Sequence, residues 1–150
     1  MSLIYLAGTE NDSKWRLAFI DKISKRLIEE LKIDAVEANK RVISKVLFPT
    51  PNVELNRIHR GKAKHIIHAF TPRMTGVMNI AEATYDAVKR SQKTSFILLR
   101  FDQGDGEEMI RFEPSYQSSL KELESLFTSE DVKQFENFSD LIEHYYPLFK

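Results

Sequence analysis

The 150-residue sequence has no cysteine, no long apolar run and no net charge, and each absence removes a class of function. Without cysteine the chain forms no disulfide, no thiolate metal site and no cysteine nucleophile. The 22 basic and 22 acidic side chains cancel, so no global charge directs the protein to nucleic acid. No apolar stretch approaches a membrane span, and the N-terminus lacks the basic-then-apolar pattern of a signal peptide. We therefore expect a cytoplasmic protein that binds neither membrane nor nucleic acid.

Glycine is also scarce, at five residues, and the glycine-rich signatures of common enzymes are missing. There is no GxSxG elbow, and only one glycine, Gly8, follows the first predicted strand. Serine hydrolases and dinucleotide-binding oxidoreductases therefore lose their main sequence support. Hydrophobic content of 42% and charged content of 29% are those of an ordinary globular protein. The length predicts a single domain over residues 1–150.

Apolar periodicity alternates between strand-like and helix-like segments, which predicts an α/β fold. The predicted strands cover residues 3–7, 45–48, 64–70, 94–101 and 132–135. The strand at 94–101 is apolar on both faces, as in the centre of a parallel sheet. We expect a mostly parallel, flavodoxin/Rossmann-like sheet of four or five strands with helices on both faces. Residues 32–44 show no clear pattern.

The spacing of apolar residues predicts which face each helix buries. For the first helix these residues are Leu17, Ile20, Ile23, Leu27, Ile28 and Leu31. The short helix before the third strand has Val53, Leu55 and Ile58, and the helix after that strand has Val77, Ile80, Ala81, Thr84, Ala87 and Val88. The last two helices have Leu120, Leu123, Leu126, Phe127, Leu141, Ile142 and Tyr145.

Capping residues mark where several helices begin. Asp12 or Ser13 can cap the first helix, and Asn52 can cap the short helix that ends near residue 61. Asn137 or Ser139 can cap the last helix.

An acidic, glycine-containing segment at residues 102–108 separates two apolar runs. Asp-Gly between such runs predicts a β-hairpin. A calcium loop is the alternative, but the acidic residues lack the EF-hand spacing and its closing glutamate, so we reject it. Pro114 then begins the next helix.

Glu82 is the one carboxylate that the pattern brings to the edge of the sheet where α/β proteins bind ligands. It follows the third strand, in the first turns of an amphipathic helix. Two interpretations remain open: Glu82 forms a capping box with Asn79, or it faces a ligand. Gly8 and the Phe48-Pro49 pair end neighbouring strands, so we expect them to converge on the same crevice.

Histidines and basic residues cluster before and within the third strand, at His59, Arg57, Arg60, Lys62, Lys64, His65 and His68. His65 and His68 are three apart on a strand and point to opposite faces, so we predict no metal site. The cations can attract a phosphate, but they lack the glycine pattern of a phosphate-binding loop, and we favour a solvated helix end.

Taken together, these segments resemble the nucleoside 2-deoxyribosyltransferase-like family. The opening strand at residues 4–8 (IYLAG), the helix start at 12–16 (DSKWR) and the last helix at 138–142 (FSDLI) are similar to the family's. The specific match is the segment at 71–82, TPRMTGVMNIAE.

The resemblance implies that Glu82 is a nucleophile that forms a covalent glycosyl-enzyme with a 2-deoxynucleoside, as in a retaining glycosidase. It also implies that Tyr5 contacts the base or sugar and that a loop of Met74, Thr75 and Gly76 covers the pocket. The expected partner is a small-molecule nucleoside or nucleotide, with no cofactor. The expected assembly is a homo-oligomer.

The sequence departs from the family pattern at two places. Lys64 and His65 stand where members usually carry an acidic residue, and the turn at Phe48-Pro49 lacks the family's asparagine. Those polar groups help to hold sugar and base. Their replacement implies an altered substrate or, alternatively, a catalytically reduced nucleotide-binding module on the same fold.

Overall fold

A computed structural model of the chain describes residues 3–9, 13–73, 78–99, 101–103 and 109–150. The described strands are β1 Ile4–Gly8, β2 Val46–Leu47, β3 His65–Phe70, β4 Thr94–Leu98, β5 Phe101–Gln103, β6 Met109–Arg111 and β7 Lys133–Phe135. The described α-helices are α1 Trp15–Leu31, α2 Ala35–Ile43, α3 Val53–Lys62, α4 Met78–Lys89, α5 Pro114–Ser129 and α6 Phe138–Tyr145. Short 3₁₀ turns lie at Ser91–Lys93 and Tyr146–Phe149.

Five strands form one parallel sheet in the order β2-β1-β3-β4-β7, which confirms the predicted fold class. This is the strand order of flavodoxin-like folds, in which the chain reverses its direction of winding between β1 and β3. The carboxyl ends of β1 and β3 therefore flank the crevice where such sheets bind ligands. As predicted, β4 lies in the sheet interior and is buried throughout, and β7 is an edge strand.

The predicted hairpin is also present, as the separate antiparallel pair β5–β6. The predicted turn, within residues 102–108, lies mostly outside the described residues, since 104–108 are not described. The expectation that the fourth strand continues to residue 101 was wrong. The strand ends at Leu98, and Phe101 belongs to the hairpin.

The register of the parallel strands divides the core into two layers. Tyr5 pairs with Ile66, Ala7 with His68, and His68 with Phe96, so these side chains share one face of the sheet. That face packs against α4 and α5, largely through Phe70, Ala83, Ala87, Phe96, Leu120, Leu123 and Phe127. The opposite face packs against α1, α2 and α6 through residues such as Ile4, Leu6, Phe19, Ile23, Leu27, Ile67, Ile97 and Leu141.

Residues 35–43 form α2, a helix that the sequence pattern did not reveal. The Asp34 side chain accepts a hydrogen bond from the Glu37 backbone amide at 2.8 Å, so Asp34 is the N-cap. Only Ala38 and Val42 of α2 are buried. Two buried positions are too few to produce a strong apolar period, although Asp34 followed by Glu37 is a capping-box signature.

Two of the predicted caps are confirmed. Asn52 accepts from the amide of Leu55 at 3.0 Å, and Asn137, rather than Ser139, accepts from the amide of Asp140 at 2.8 Å. Ser13 does not cap α1, because the N-cap position belongs to Lys14, which makes no side-chain capping bond. The other predicted cap, Asp12, lies outside the described residues.

Several predicted inward positions were wrong. On α1, Leu17 and Leu31 are exposed, although the interior of the stripe is buried as expected. On α4, Val88 is half exposed and Ala81 is exposed, and Asp86 takes a buried position beside Ala83 and Ala87. On α3, the predicted apolar positions are all exposed: Val53, Leu55 and Ile58.

The buried residues of α3 are instead the polar Asn56 and Arg60. Asn56 holds the preceding turn, because its amide group exchanges hydrogen bonds with the backbone of Thr50 at 2.8 Å in both directions. Arg60 is turned towards the carboxylates of Glu82 and Asp86 on α4. None of the helices in the described ranges is long and apolar enough to cross a membrane.

Candidate functional site

The carboxyl ends of β1 and β3 are joined tightly at the point where the sheet reverses its winding. Gly8 ends β1 with a φ of +107°, and a Cβ built at this position would lie 2.0 Å from the carbonyl oxygen of Ala69. Only glycine combines that backbone conformation with so close an approach. The Thr9 hydroxyl then accepts a hydrogen bond from the Thr71 amide at 2.9 Å. The residues that follow the two strands are thereby held side by side.

Arg16 fixes the same edge from α1. Its guanidinium is buried and donates to the carbonyl oxygens of Leu6 at 2.8 Å, Thr9 at 2.6 Å and Gly8 at 3.2 Å. Backbone carbonyls at the end of a parallel strand have no further strand partner, so a buried arginine satisfies them. The backbone at the carboxyl end of β1 is therefore held by three hydrogen bonds from one side chain.

Glu82 lies on α4, which follows β3 and therefore starts at this edge of the sheet. Its side chain is 15% exposed and accepts a charge-assisted hydrogen bond from Arg60 of α3. Asn79 lies inside the helix, after Met78, and is not its N-cap, so the capping-box interpretation based on Asn79 was wrong. The carboxylate of Glu82 is instead held from the neighbouring helix.

Five charged or ionisable side chains form a connected group that we call the Asp86 cluster: Arg60, His68, Glu82, Asp86 and Arg90. The Asp86 carboxylate is fully buried. It accepts hydrogen bonds from Arg60 Nε at 2.9 Å, from His68 Nε2 at 2.8 Å and from Arg90 Nη1. Because an ionised carboxylate only accepts, His68 must carry its hydrogen on Nε2.

The environment of Asp86 keeps its carboxylate ionised. Burial by itself raises the pKa of Asp86 because it disfavours the charged form. The hydrogen bond from His68, the charges of His68 and Arg60, and the hydrogen bond from Arg90 outweigh burial, so the pKa lies below its ordinary value. The Asp86 cluster therefore contains a fixed buried negative charge that anchors two guanidinium groups.

The outer members of the Asp86 cluster are less buried than its centre. Arg60 is 4% exposed, Glu82 is 15% exposed and Arg90 is 18% exposed, whereas Asp86 and His68 are fully buried. Arg90 also lies over the ring of Tyr85, with the guanidinium carbon 5.1 Å from the ring centroid. The exposed fraction of the side chain therefore rises from Asp86 to the outer members of the cluster. Among the members on α4, Glu82 lies nearest to the helix start, which is at the carboxyl edge of the sheet.

Among the other sequence-predicted site residues, the structure describes Tyr5, Gly8, Phe48 and Pro49. Tyr5 is 1% exposed and packs in the core with Ala7, Ala63 and Ile66, on the same face of the sheet as His68. Phe48 and Pro49 follow β2, and Phe48 is 39% exposed. The predicted loop residues Met74, Thr75 and Gly76 lie outside the described residues.

The two strand histidines point to opposite faces, as the spacing predicted. His68 faces α4 and Asp86, whereas His65 faces α6, with its ring centroid 5.8 Å from that of Tyr145. Within the described ranges, no three histidine, aspartate or glutamate side chains are grouped so that they could hold a metal ion.

The basic residues near the end of α3 do not form one solvated face, so that interpretation was wrong for its central member. Arg57 pairs with Glu54 on the surface, and Lys62 and Lys64 are exposed. Arg60, in contrast, is turned inward to Glu82 and Asp86.

Arg60 and Asp86 are the two residues that sequence reasoning missed. A signal was present for Asp86, which stands next to Ala87, a residue of the predicted inward face. For Arg60 no local signal existed, because its partners lie 22 and 26 residues further along the chain.

Comparisons of the chain with protein-family models, with curated proteins and with solved structures find no match. The fold alone does not specify a function, since flavodoxin-like sheets support many unrelated activities. A proposed function must therefore rest on the residues of the site itself.

Proposed function

We propose that the protein cleaves the N-glycosidic bond of a 2-deoxynucleoside or its nucleotide, by transfer to another base or by hydrolysis, with Glu82 as the nucleophile. The observation that carries this proposal is the position of one partly exposed carboxylate. Glu82 lies near the start of α4, the helix that follows β3 from the sheet edge where parallel α/β sheets bind ligands, and a buried guanidinium holds it.

The chemistry requires a carboxylate that is ionised and fixed before substrate arrives. Cleavage of an N-glycosidic bond passes through an oxocarbenium-like state, which a nearby negative charge stabilises. A carboxylate oxygen of Glu82 attacks the anomeric carbon, and the bond to the base breaks with its electron pair leaving on the base. A second base or water then attacks the same carbon and releases the carboxylate.

A base-exchange assay tests this proposal directly. The protein is incubated with a 2-deoxynucleoside and a different free base, and products are separated by chromatography. We expect exchange or base release by the wild type and a loss of at least about a thousand-fold in Glu82→Gln, because the amide is a far weaker nucleophile. Glu54→Gln, an exposed glutamate on α3, is the matched control and should retain activity.

Equal release of base by the wild type and Glu82→Gln would remove Glu82 from the mechanism. Far-ultraviolet circular dichroism and thermal melting of each variant separate loss of chemistry from loss of folding. Glutamine keeps an oxygen that can accept from Arg60, so the substitution preserves most of the local hydrogen bonding.

A second candidate is a nucleotide-binding or sensing module that has lost turnover. The engagement of Glu82 by Arg60, with only 15% of the side chain exposed, favours it. It is distinguished by thermal shift: stabilisation by nucleosides or nucleotides without any release of base supports this function over the enzyme. A homo-oligomeric state and a cytoplasmic location remain predictions from the resemblance and the composition.

A further inference from the structure

Arg60 links the proposed nucleophile to a buried counter-charge. Its Nη1 donates to Glu82 and its Nε donates to Asp86 at 2.9 Å, so one planar guanidinium spans both carboxylates. The side chain is 4% exposed and comes from α3, whereas both carboxylates belong to α4. A guanidinium held at two of its nitrogens by partners one helical turn apart has little freedom to rotate. Arg60 therefore fixes where the Glu82 carboxylate lies.

The net charge of the Asp86 cluster depends on whether Glu82 is an ionised carboxylate or an ester. Two guanidinium groups, Arg60 and Arg90, face two carboxylates, Glu82 and Asp86. Esterification of Glu82 by a sugar makes that side chain neutral. Arg60 then loses one of its negative partners in a largely buried site, and an incompletely compensated buried charge is costly.

We infer that Arg60 is a positioning residue that destabilises the glycosyl-enzyme relative to the Glu82 carboxylate and so speeds the breakdown of that adduct. This inference rests on the proposed function. In the first step a Glu82 oxygen bonds to the anomeric carbon, and the departing base takes the electron pair and later a proton.

In the second step the incoming base or water bonds to that carbon and loses a proton to solvent. The carbon–oxygen bond to Glu82 breaks, and its electron pair returns to the carboxylate. Arg60 donates to that carboxylate as its charge reappears, so its hydrogen bond is stronger at the end of the second step than at the start.

The experiment measures the lifetime of the covalent adduct. The protein is mixed with a 2-deoxynucleoside without acceptor, quenched in acid, and examined by intact-protein mass spectrometry for addition of one deoxyribosyl group. An acceptor base is then added and the decay of the adduct is followed. The variants are Arg60→Lys, Arg60→Met with Asp86→Asn, and the surface control Arg57→Met.

The double variant removes one positive and one negative charge together, so it avoids leaving Asp86 as an unpaired buried anion. Arg60→Lys keeps the charge but cannot span both carboxylates, because an ammonium lacks the planar fork. Each variant is compared at a temperature where its circular dichroism spectrum matches that of the wild type.

In the double variant we expect a larger adduct fraction and a decay slower by about ten-fold to a hundred-fold, the effect of losing one hydrogen bond to a charged group. Arg60→Lys should be intermediate, and Arg57→Met should match the wild type. A purely structural role for Arg60 would lower the amount of adduct that forms but would leave the decay rate of adduct already formed unchanged.

Glu82-dependent exchange with an unchanged or shorter adduct lifetime in both Arg60 variants would overturn the inference and leave the proposed function standing. Absence of base release and of adduct from the wild type would overturn both. One set of samples therefore distinguishes failure of the inference about Arg60 from failure of the proposed function.

Discussion

The substitution Asp86→Asn removes the buried negative charge that Arg60, His68 and Arg90 share. Asparagine has nearly the same shape, so packing is preserved while the charge is lost. Its amide nitrogen is a donor that would face side chains which are themselves donors. The variant thus leaves two guanidinium groups with less negative charge and at least one poorly satisfied polar atom.

The expected cost is large because Asp86 is fully buried. Removing one partner of a buried ion pair costs about 3–5 kcal/mol, and a domain is stable by only about 5–15 kcal/mol in total. We expect a loss near 3 kcal/mol for asparagine, since it retains one oxygen acceptor. For a chain of this length that corresponds to a fall of about 10 °C in Tm.

Urea unfolding at pH 7, followed by circular dichroism, measures this loss. Asp21→Asn is the matched control, because Asp21 pairs with Lys25 on the surface of α1 and its side chain is 59% exposed. The control should change the free energy of unfolding by less than about 0.5 kcal/mol. If Asp86→Asn is as mild as Asp21→Asn, the Asp86 cluster contributes no electrostatic stability and the reasoning fails.

The pH dependence of the free energy of unfolding independently tests whether the ionised Asp86 carboxylate stabilises the fold. The pKa of Asp86 in the folded state lies below its ordinary value of 3.8, so folding favours the ionised form. The stability from this group is therefore fully present above the unfolded pKa and is lost as pH falls through the folded pKa. The gap in the free energy of unfolding between wild type and Asp86→Asn should shrink below about pH 4. A gap that widens towards acid would contradict the assignment.

Three further substitutions test the backbone and capping interpretations. Gly8→Ala should destabilise the protein by about 2–5 kcal/mol in urea unfolding. The new methyl group would meet the Ala69 carbonyl oxygen, and the positive φ is strained for alanine. An unfolding midpoint equal to that of the wild type would refute this prediction. Asn137→Ala should cost about 1 kcal/mol in thermal unfolding and Ser139→Ala less than half as much, because only Asn137 accepts from the helix amide; equal effects would show that the cap is unimportant.

Much of the fold was predictable because its signals are local. The alternation of strand and helix periods, the central strand at residues 94–98 and the caps at Asn52 and Asn137 each depend on neighbours within a few residues. The helix at residues 35–43 escaped prediction because it buries only two side chains. The prediction that α3 buries Val53, Leu55 and Ile58 failed for the opposite reason. These side chains are hydrophobic, but the helix presents them to solvent.

The candidate site was predictable only in part. The resemblance and the strand–helix pattern drew attention to Glu82, and the strand order placed it at the expected edge of the sheet. The ion-pair partner of Glu82 could not be predicted from these patterns. Arg60 stands in a run of surface cations, and nothing local separates it from Arg57, which pairs with Glu54 in solvent.

By itself the sequence determined the α/β class, the order of the elements other than α2 and the position of one carboxylate after the third strand, because backbone preference and apolar periodicity act over short stretches of chain. Only the tertiary structure decided which charges are buried together. An ion pair such as Arg60 with Asp86 depends on how two helices pack on one face of a sheet, and that distance is not encoded in the spacing of residues along the chain.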